Sequence, residues 1–338
     1  MLLFDVLSHF FYYRWFKYLG FSGFSDESHL KISCQLLESK YHSSKGVIRE
    51  INIIGLKSEG VCIKSTAYAL KLFSDFPELF KDSFQVNFLL EEMEVPQNQN
   101  SVFNWCQMFF ATFENPQFTW IKSKCRDILA NKLSDVEISS IHIKILKTRY
   151  DYHTNKIDEN TYEKIILLQM KNQNIKDLML VNSFVPGKGS TSHELGYLLN
   201  FLLDIYNDTQ SPKLLECIHN LLEKMHTIFV QHKVFYSGVV RRGNSINVSG
   251  ILLISQAFLK HTLLFKDFRY ANSAYYLIDV AKFLQRKNLK NYISNTLPIY
   301  RYGSPYKYPA WTLCYFINAL SLKDKTNKTL KDEIGFHI

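Results

Sequence analysis

The chain has 338 residues, enough to bury a sizeable core, and its 46% hydrophobic content excludes an intrinsically disordered protein. Lys and Arg number 40 against 31 Asp and Glu, a formal charge of +9 that points to anionic partners: nucleic acid, phosphate headgroups or acidic sugars. Cys34, Cys62, Cys106, Cys125, Cys217 and Cys314 lie far apart with no C-x-x-C pair. That excludes a zinc ribbon or a dense disulfide scaffold and predicts six buried free thiols in a reducing, cytoplasmic setting.

In chain order, the first segment is "MLLFDVLSHFFYYRWFKYLGF". Asp5, His9, Arg14 and Lys17 interrupt its apolar run, no basic residue precedes it and no small-residue cleavage site follows. It is read as an N-terminal aromatic helix over residues 1–25, neither a secretory signal nor a spanning helix. With Leu3, Leu7, Phe11 and Trp15 near one face, it either packs on its own domain or touches a membrane surface peripherally.

Helical periodicity then dominates. It predicts amphipathic helices near residues 26–41, 65–76, 77–92, 99–113, 118–132, 135–149, 158–173, 192–207, 211–232, 248–264, 267–288 and 309–321. Strand-like alternation is confined to short pieces such as "VIREINII". No Gly/Ser-rich or Pro-rich linker divides the chain, so one all-α domain over residues 1–338 is predicted.

The connections are unequal. Four of them, "KYHSSKGVIREINIIGLKSEGVCIKSTAYALKLF", "LVNSFVPGKGSTSHELGYLLNFLLDIY", "HKVFYSGVVRRGNSINVSGILLISQAFLKHTLLF" and "LPIYRYGSPYKYPAWTLCYFINAL", carry an apolar tract through a polar, glycine-containing loop. Each loop then delivers the chain into a helix that starts near Ser, Thr or Pro. A helix out, a tight turn and a helix back give a repeating unit of about 50 to 60 residues.

The segment "NVSGILLISQAFLKHTLLFKDFRYANSAYYLIDVAKFL" resembles the helical hairpin of the α/α-toroid superfamily. This six-hairpin group includes glycoside hydrolases, polysaccharide lyases and uronyl epimerases. The features that carry the likeness are Gly250 at a helix start, Ala257 within it, the turn with Asp267 and Tyr270, and Ala274 and Ala281 in the next helix. "YPAWTLCYFINAL" is similar to a last inner helix and "STSHELGYLLNFLLDIY" to a middle one. The resemblance covers about residues 30–321 and implies an α/α toroid, with the loops entering the inner helices gathered at one end of the barrel.

On that fold the four loops would bring together Lys57, Glu59 and Lys64; His193 and Glu194; Arg241, Arg242, Asn244 and Asn247; and Tyr302, Tyr308 and Trp311. Arginine can hold a carboxylate through two parallel hydrogen bonds, and Tyr or Trp faces stack on sugar rings. His193 and Tyr302 can take and return a proton. Arg241, Asn244 and their neighbours would steady the negative charge that builds on a uronate carboxylate during proton abstraction. This set suits β-elimination or C5-epimerisation of an acidic polysaccharide, as in polysaccharide or capsule assembly. Two other readings stand beside it. One is a non-catalytic toroid holding a glycan or a protein. The other is a glycoside hydrolase with Glu59 and Glu194 as acid and base. Each residue also has a plainer use: Arg241 and Arg242 as a solvated turn, His193 and Glu194 as the first turn of a capped helix, where an acid suits the dipole, Trp311 and half of the tyrosines as packing.

Other motifs exclude more than they suggest. "HEL" at 193–195 lacks the second histidine of H-E-x-x-H, and His219, His226 and His232 are spaced unlike a zinc site, so no metal and no cofactor are predicted. "PGKGST" lacks the order of a phosphate loop and the strand before it. The lysines are spread over many helices with no recognised module, which disfavours nucleic acid. Oligomeric state is not legible.

Overall fold

The computed structural model describes residues 25–43, 46–47, 50–52, 62–80, 95–171, 190–238, 245–288, 291–297 and 307–334. Two kinds of helix are distinguished by how they bury their side chains. In α8 (Pro212–His232), Leu214, Ile218, Leu221, Leu222, Met225 and Phe229 form one buried stripe at helical spacing, the mark of a helix with a wet outer face. In α7 (Ser192–Thr209) and α9 (Val248–Phe265) the buried residues run around most of the circumference. Helices of that second kind need neighbours on several sides, and they have them.

Six helices form a closed inner ring: α2 (Ile63–Asp75), α3 (Gln99–Thr112), α5 (Ile141–His153), α7, α9 and α11 (Ala310–Ile334), each packed on the next, with α11 returning to α2. The outer helices cover them: α1 (Asp26–Leu36) lies on α11, α4 (Thr119–Asn131) on α3, α6 (Glu159–Lys171) on α5, α8 on α7, and α10 (Ala271–Lys287) on α9 and α11. This is the α/α toroid that the hairpin pattern predicts. Helix α9 is apolar and long enough to cross a membrane, yet it belongs to the ring and most of it is buried there.

The six inner helices point the same way. Rings from the first two turns of α2 (Tyr68), α3 (Phe103), α5 (His142), α7 (Tyr197) and α11 (Tyr315) meet at one end. In α9, the Ser249 hydroxyl is 2.7 Å from that of Thr312 in the first turn of α11. At the opposite end, Arg149 of α5 donates to Asp204 and Asp208 of α7 at 3.3 and 2.8 Å, and Lys260 of α9 donates to Asp204 at 2.8 Å.

Short antiparallel pairs stitch the N-terminal rim. Strand β3 (Glu50–Asn52) pairs with β6 (Lys307–Pro309), which joins the segments ahead of α2 and α11. Strand β4 (Ile246–Asn247) pairs with β5 (Thr296–Leu297), and Thr191 bridges Gly238. A smaller pair, β1 (His42–Ser43) with β2 (Gly46–Val47), lies ahead of β3. The described parts of the segments preceding α2, α7, α9 and α11 are therefore neighbours.

Helices α7 and α9 approach closely where glycine permits it. A Cβ on Gly196 would stand 2.6 Å from the Leu253 Cβ, and one on Gly250 would stand 2.4 Å from the Ser192 Oγ and 2.9 Å from the His193 amide. The Asn200 amide seals the crossing by donating to the carbonyls of Gly196 and Leu253 at 2.7 and 2.8 Å. Ala257, Ala274 and Ala281, the other small residues of the hairpin pattern, are fully buried.

Several expectations are corrected. The repeat is not uniform: Ile63 to Gln99 spans 36 residues, whereas Val248 to Ala310 spans 62. Helix α5 starts at Ile141 rather than near 135, because the Gln99 side-chain oxygen accepts from the Ser139 and Ser140 amides at 3.2 and 3.1 Å and holds that segment extended. Helix α11 runs on to Ile334, held by polar links such as Tyr275 to Asn327 at 2.7 Å and Lys323 to Asp26 at 2.8 Å. The cysteines are free, but Cys62 and Cys217 are only half-buried.

Candidate functional site

The rim cluster is built from the outermost turns of the inner helices. Thr191 caps α7 through a capping box: its hydroxyl accepts from the Glu194 amide at 3.2 Å, and the Glu194 Oε2 accepts from the Thr191 amide at 2.8 Å. That cap fixes the first turn, and with it His193. The His193 ring stands edge-on to Tyr197 at 4.6 Å and reaches Tyr315 at 6.2 Å. Below it the Tyr197 and Tyr315 hydroxyls share a hydrogen bond. Tyr68 meets Tyr315 edge to face at 4.7 Å, and His142 stacks on Tyr197 at 5.9 Å.

The Lys64 side chain enters this aromatic bed. The Lys64 Nζ, from the first turn of α2, sits 5.0 Å from the Trp311 ring centre and 5.5 Å from that of Tyr197. Ring faces attract an ammonium through their quadrupoles, which holds the Lys64 head against both rings. Six helix N-termini at the same end add partial positive charge.

The electrostatics follow from this packing. Burial first, then the Lys64 charge, then His142, holds the His193 imidazole well below its ordinary value. Burial and Lys64 push His142 down to about 3. Burial raises the phenols of Tyr197 and Tyr315 well above 10. At neutral pH the cluster therefore holds neutral imidazoles over un-ionised phenols beside one ammonium.

Of the residues expected at the site, Lys64, His193 and Trp311 come together. Glu194 lies beside them, but its buried carboxylate is engaged in the capping box, which corrects the expected acid–base role. Asn247 is the N-cap of α9, its Oδ1 accepting from the Gly250 amide at 2.9 Å. Tyr308 is a further correction to the expected sugar contact. It is 2% exposed within β6, packs on Tyr292 at 5.2 Å, and presents its carbonyl to the Tyr41 hydroxyl at 3.0 Å. Lys57, Glu59, Arg241, Arg242, Asn244 and Tyr302, like the aromatic segment 1–24, lie outside the described residues.

Sequence reasoning missed Tyr68, His142, Tyr197 and Tyr315, which sit inside helices that read as core. A registered signal exists: Tyr68, Tyr197 and Tyr315 are each five residues beyond the first residue of an inner helix, at Ile63, Ser192 and Ala310. Aligning helix starts would have found them.

Neither protein-family models nor curated proteins match the sequence. The structure, in contrast, is similar to solved toroids. An unsaturated glucuronyl hydrolase specific for heparin has a TM-score of 0.66 at 12% identity, over 90% of this chain and 96% of the other. A polysaccharide lyase has a TM-score of 0.60 at 9% identity, over 90% and 99%. A GH76 alpha-mannanase from Bacteroides thetaiotaomicron has a TM-score of 0.55 at 12% identity, over 91% and 98%. At such identities the likeness shows a shared α/α-toroid fold.

Proposed function

We propose that the protein is carbohydrate-active and takes an acidic, uronate-containing saccharide at the N-terminal rim of its inner ring. The observation that carries this reading is the placement of Lys64 between the faces of Tyr197 and Trp311 with His193 beside it. A saccharide can approach over the half-buried His193 and Lys64, where its carboxylate can meet the ammonium. The structural neighbours include proteins named for glucuronyl and polysaccharide substrates, which supports a saccharide ligand.

The favoured reaction is removal of the proton next to the carboxylate, followed by β-elimination or C5-epimerisation. Lys64 would lower the barrier by opposing the charge that develops on the carboxylate. His193 would accept the proton. Its weak basicity in the empty site rises on binding, because a carboxylate offsets Lys64, the second cause of its lowered pKa after burial. Tyr197 and Tyr315 are buried and hold the imidazole from below, so they are positioning residues. Arg241, Arg242, Asn244 and Tyr302 belong to the same proposal as carboxylate ligands and proton donor.

The experiment is incubation with uronate polymers in D2O. Unsaturated-sugar absorbance marks elimination, and deuterium at C5 marks epimerisation. We expect one of these signals, abolished by His193→Gln, while Arg241→Ala and Arg242→Ala weaken binding with the fold intact. The depressed basicity of His193 also favours a second reading, a glycan-binding toroid without catalysis. In that case both signals stay silent while the same polymer still raises the melting temperature. Release of reducing ends with neither signal would instead favour a hydrolase, with Glu59 rather than the capping Glu194 as its acid.

A further inference from the structure

The opposite end of the ring holds a cavity of about 200 Å³. Its walls come from the last turns of four inner helices: Lys71, Ser74 and Asp75 of α2, Gln107 and Phe110 of α3, Arg149 of α5, and Asp204 and Asn207 of α7, among others. That volume equals the liquid share of about seven waters, room for a small polar molecule.

The charged groups around this cavity are largely matched to one another. Lys71 pairs with Asp75 at 3.1 Å, and Arg149 reaches Asp204 at 3.3 Å and Asp208 at 2.8 Å, with its guanidinium 4.5 Å from the centre of the Phe110 ring. The neutral polar side chains are not matched. The Ser74 hydroxyl, the Gln107 amide and the Asn207 amide, from three different helices, make no side-chain hydrogen bond among the described residues. Gln107 is only 8% exposed, and its amide nitrogen is buried without a partner among the described residues. A buried donor left in that state costs about 1–3 kcal/mol, so its retention needs a reason.

We propose that the C-terminal end of the ring is a second ligand site, for a small neutral polyhydroxylated molecule of the monosaccharide class. Hydroxyl groups both donate and accept, which suits one hydroxyl and two amides around a space whose charged groups, Glu114 apart, already have partners. Phe110, Phe113 and Phe201 provide apolar wall for the C–H face of a sugar ring. Glu114, exposed at the edge, has no ion partner among the described residues, and its negative charge disfavours an anion there. The site is separate from the rim that carries Lys64 and does not depend on its chemistry.

Saturation-transfer NMR with glucose, mannose and N-acetylglucosamine tests this, with acetate, inorganic phosphate and putrescine as charged competitors. At least one neutral sugar is expected to receive saturation and to resist all three competitors. Ser74→Phe, a substitution at a half-exposed position, fills the cavity and should abolish the signal. Gln107→Met should weaken binding by roughly tenfold, and Lys64→Met should leave it unchanged. Circular dichroism checks each fold. The proposal is overturned if no neutral sugar receives saturation, if a charged competitor displaces it, or if the signal survives Ser74→Phe or disappears in Lys64→Met.

Discussion

Lys64 and His193 show how neighbours change what a residue can do. An ammonium on an open surface is hydrated and interchangeable, whereas Lys64 lies against two ring faces beside imidazoles that burial keeps neutral. Lys64→Met keeps the length of the side chain and removes the charge. Affinity for an acidic saccharide should fall by about tenfold or more, with melting temperature nearly unchanged, as calorimetric titration and thermal unfolding would read. Glu194 shows the converse. Beside His193 it reads as a catalytic acid, but its Oε2 closes the helix cap. Thr191→Ala should cost about 1 kcal/mol in denaturant unfolding, because it opens that cap. His261 is a third case: it is buried, neither ring nitrogen has a partner among the described residues, and burial pushes its pKa down to about 4. His261→Phe should therefore be neutral or stabilising at pH 7.

Among the elements, the α7–α9 crossing sets the position of the site, since Gly250 lies under the His193 amide and Gly196 under Leu253. Gly196→Ala should force the two helices apart and cost about 1–3 kcal/mol, checked by the shift in urea midpoint. Crossings of this kind were legible: the hairpin pattern marked Gly250 and three alanines that prove to be buried. Helix α9, apolar almost throughout, could not be missed. The boundaries that failed are those set by polar contacts at long range. The Gln99 side chain holds residues 139 and 140 out of α5, and Tyr275 and Asp26 hold a polar stretch of α11 in place. Neither leaves a hydrophobic period to read. The site was legible only where loops launch helices, which found Lys64, His193 and Trp311. His142 and the three tyrosines belong to the buried faces of helices, where an aromatic residue on a single sequence is indistinguishable from packing.

For the whole molecule, a parallel inner ring gives two chemically distinct ends. The N-terminal end collects positive helix dipoles, Lys64 and neutral histidines. The C-terminal end places Lys71, Arg149 and Lys260 near carbonyl-bearing helix termini and neutralises them with Asp75, Asp204 and Asp208. Arg149→Met would leave the half-buried Asp208 with less compensation and should cost about 1–3 kcal/mol, visible as a lower melting temperature. The buried histidines also set the acid limit. Their folded pKa values lie below the ordinary 6.5, to about 3 for His142 and about 4 for His261. Above pH 6.5 both folded and unfolded chains leave them neutral. Below it the unfolded chain binds protons that the folded chain refuses, so stability falls with pH, by up to roughly 1.4 kcal/mol per pH unit for each histidine. Asp204 and Asp208 act in the same direction below 3.8: although burial opposes it, Lys260 and Arg149 lower the first, and His153 and Arg149 lower the second. Unfolding measured from pH 7 to 4 should show this slope, and His261→Phe should make it shallower.

Calorimetric titration of the protein with a uronate oligosaccharide and with its carboxyl-reduced, neutral counterpart puts the rim assignment to the most direct test. Binding of the acidic sugar alone, lost in Lys64→Met, is the predicted result. Equal affinity for both sugars, or unaltered affinity in Lys64→Met, would contradict an anion site at the N-terminal end of the ring.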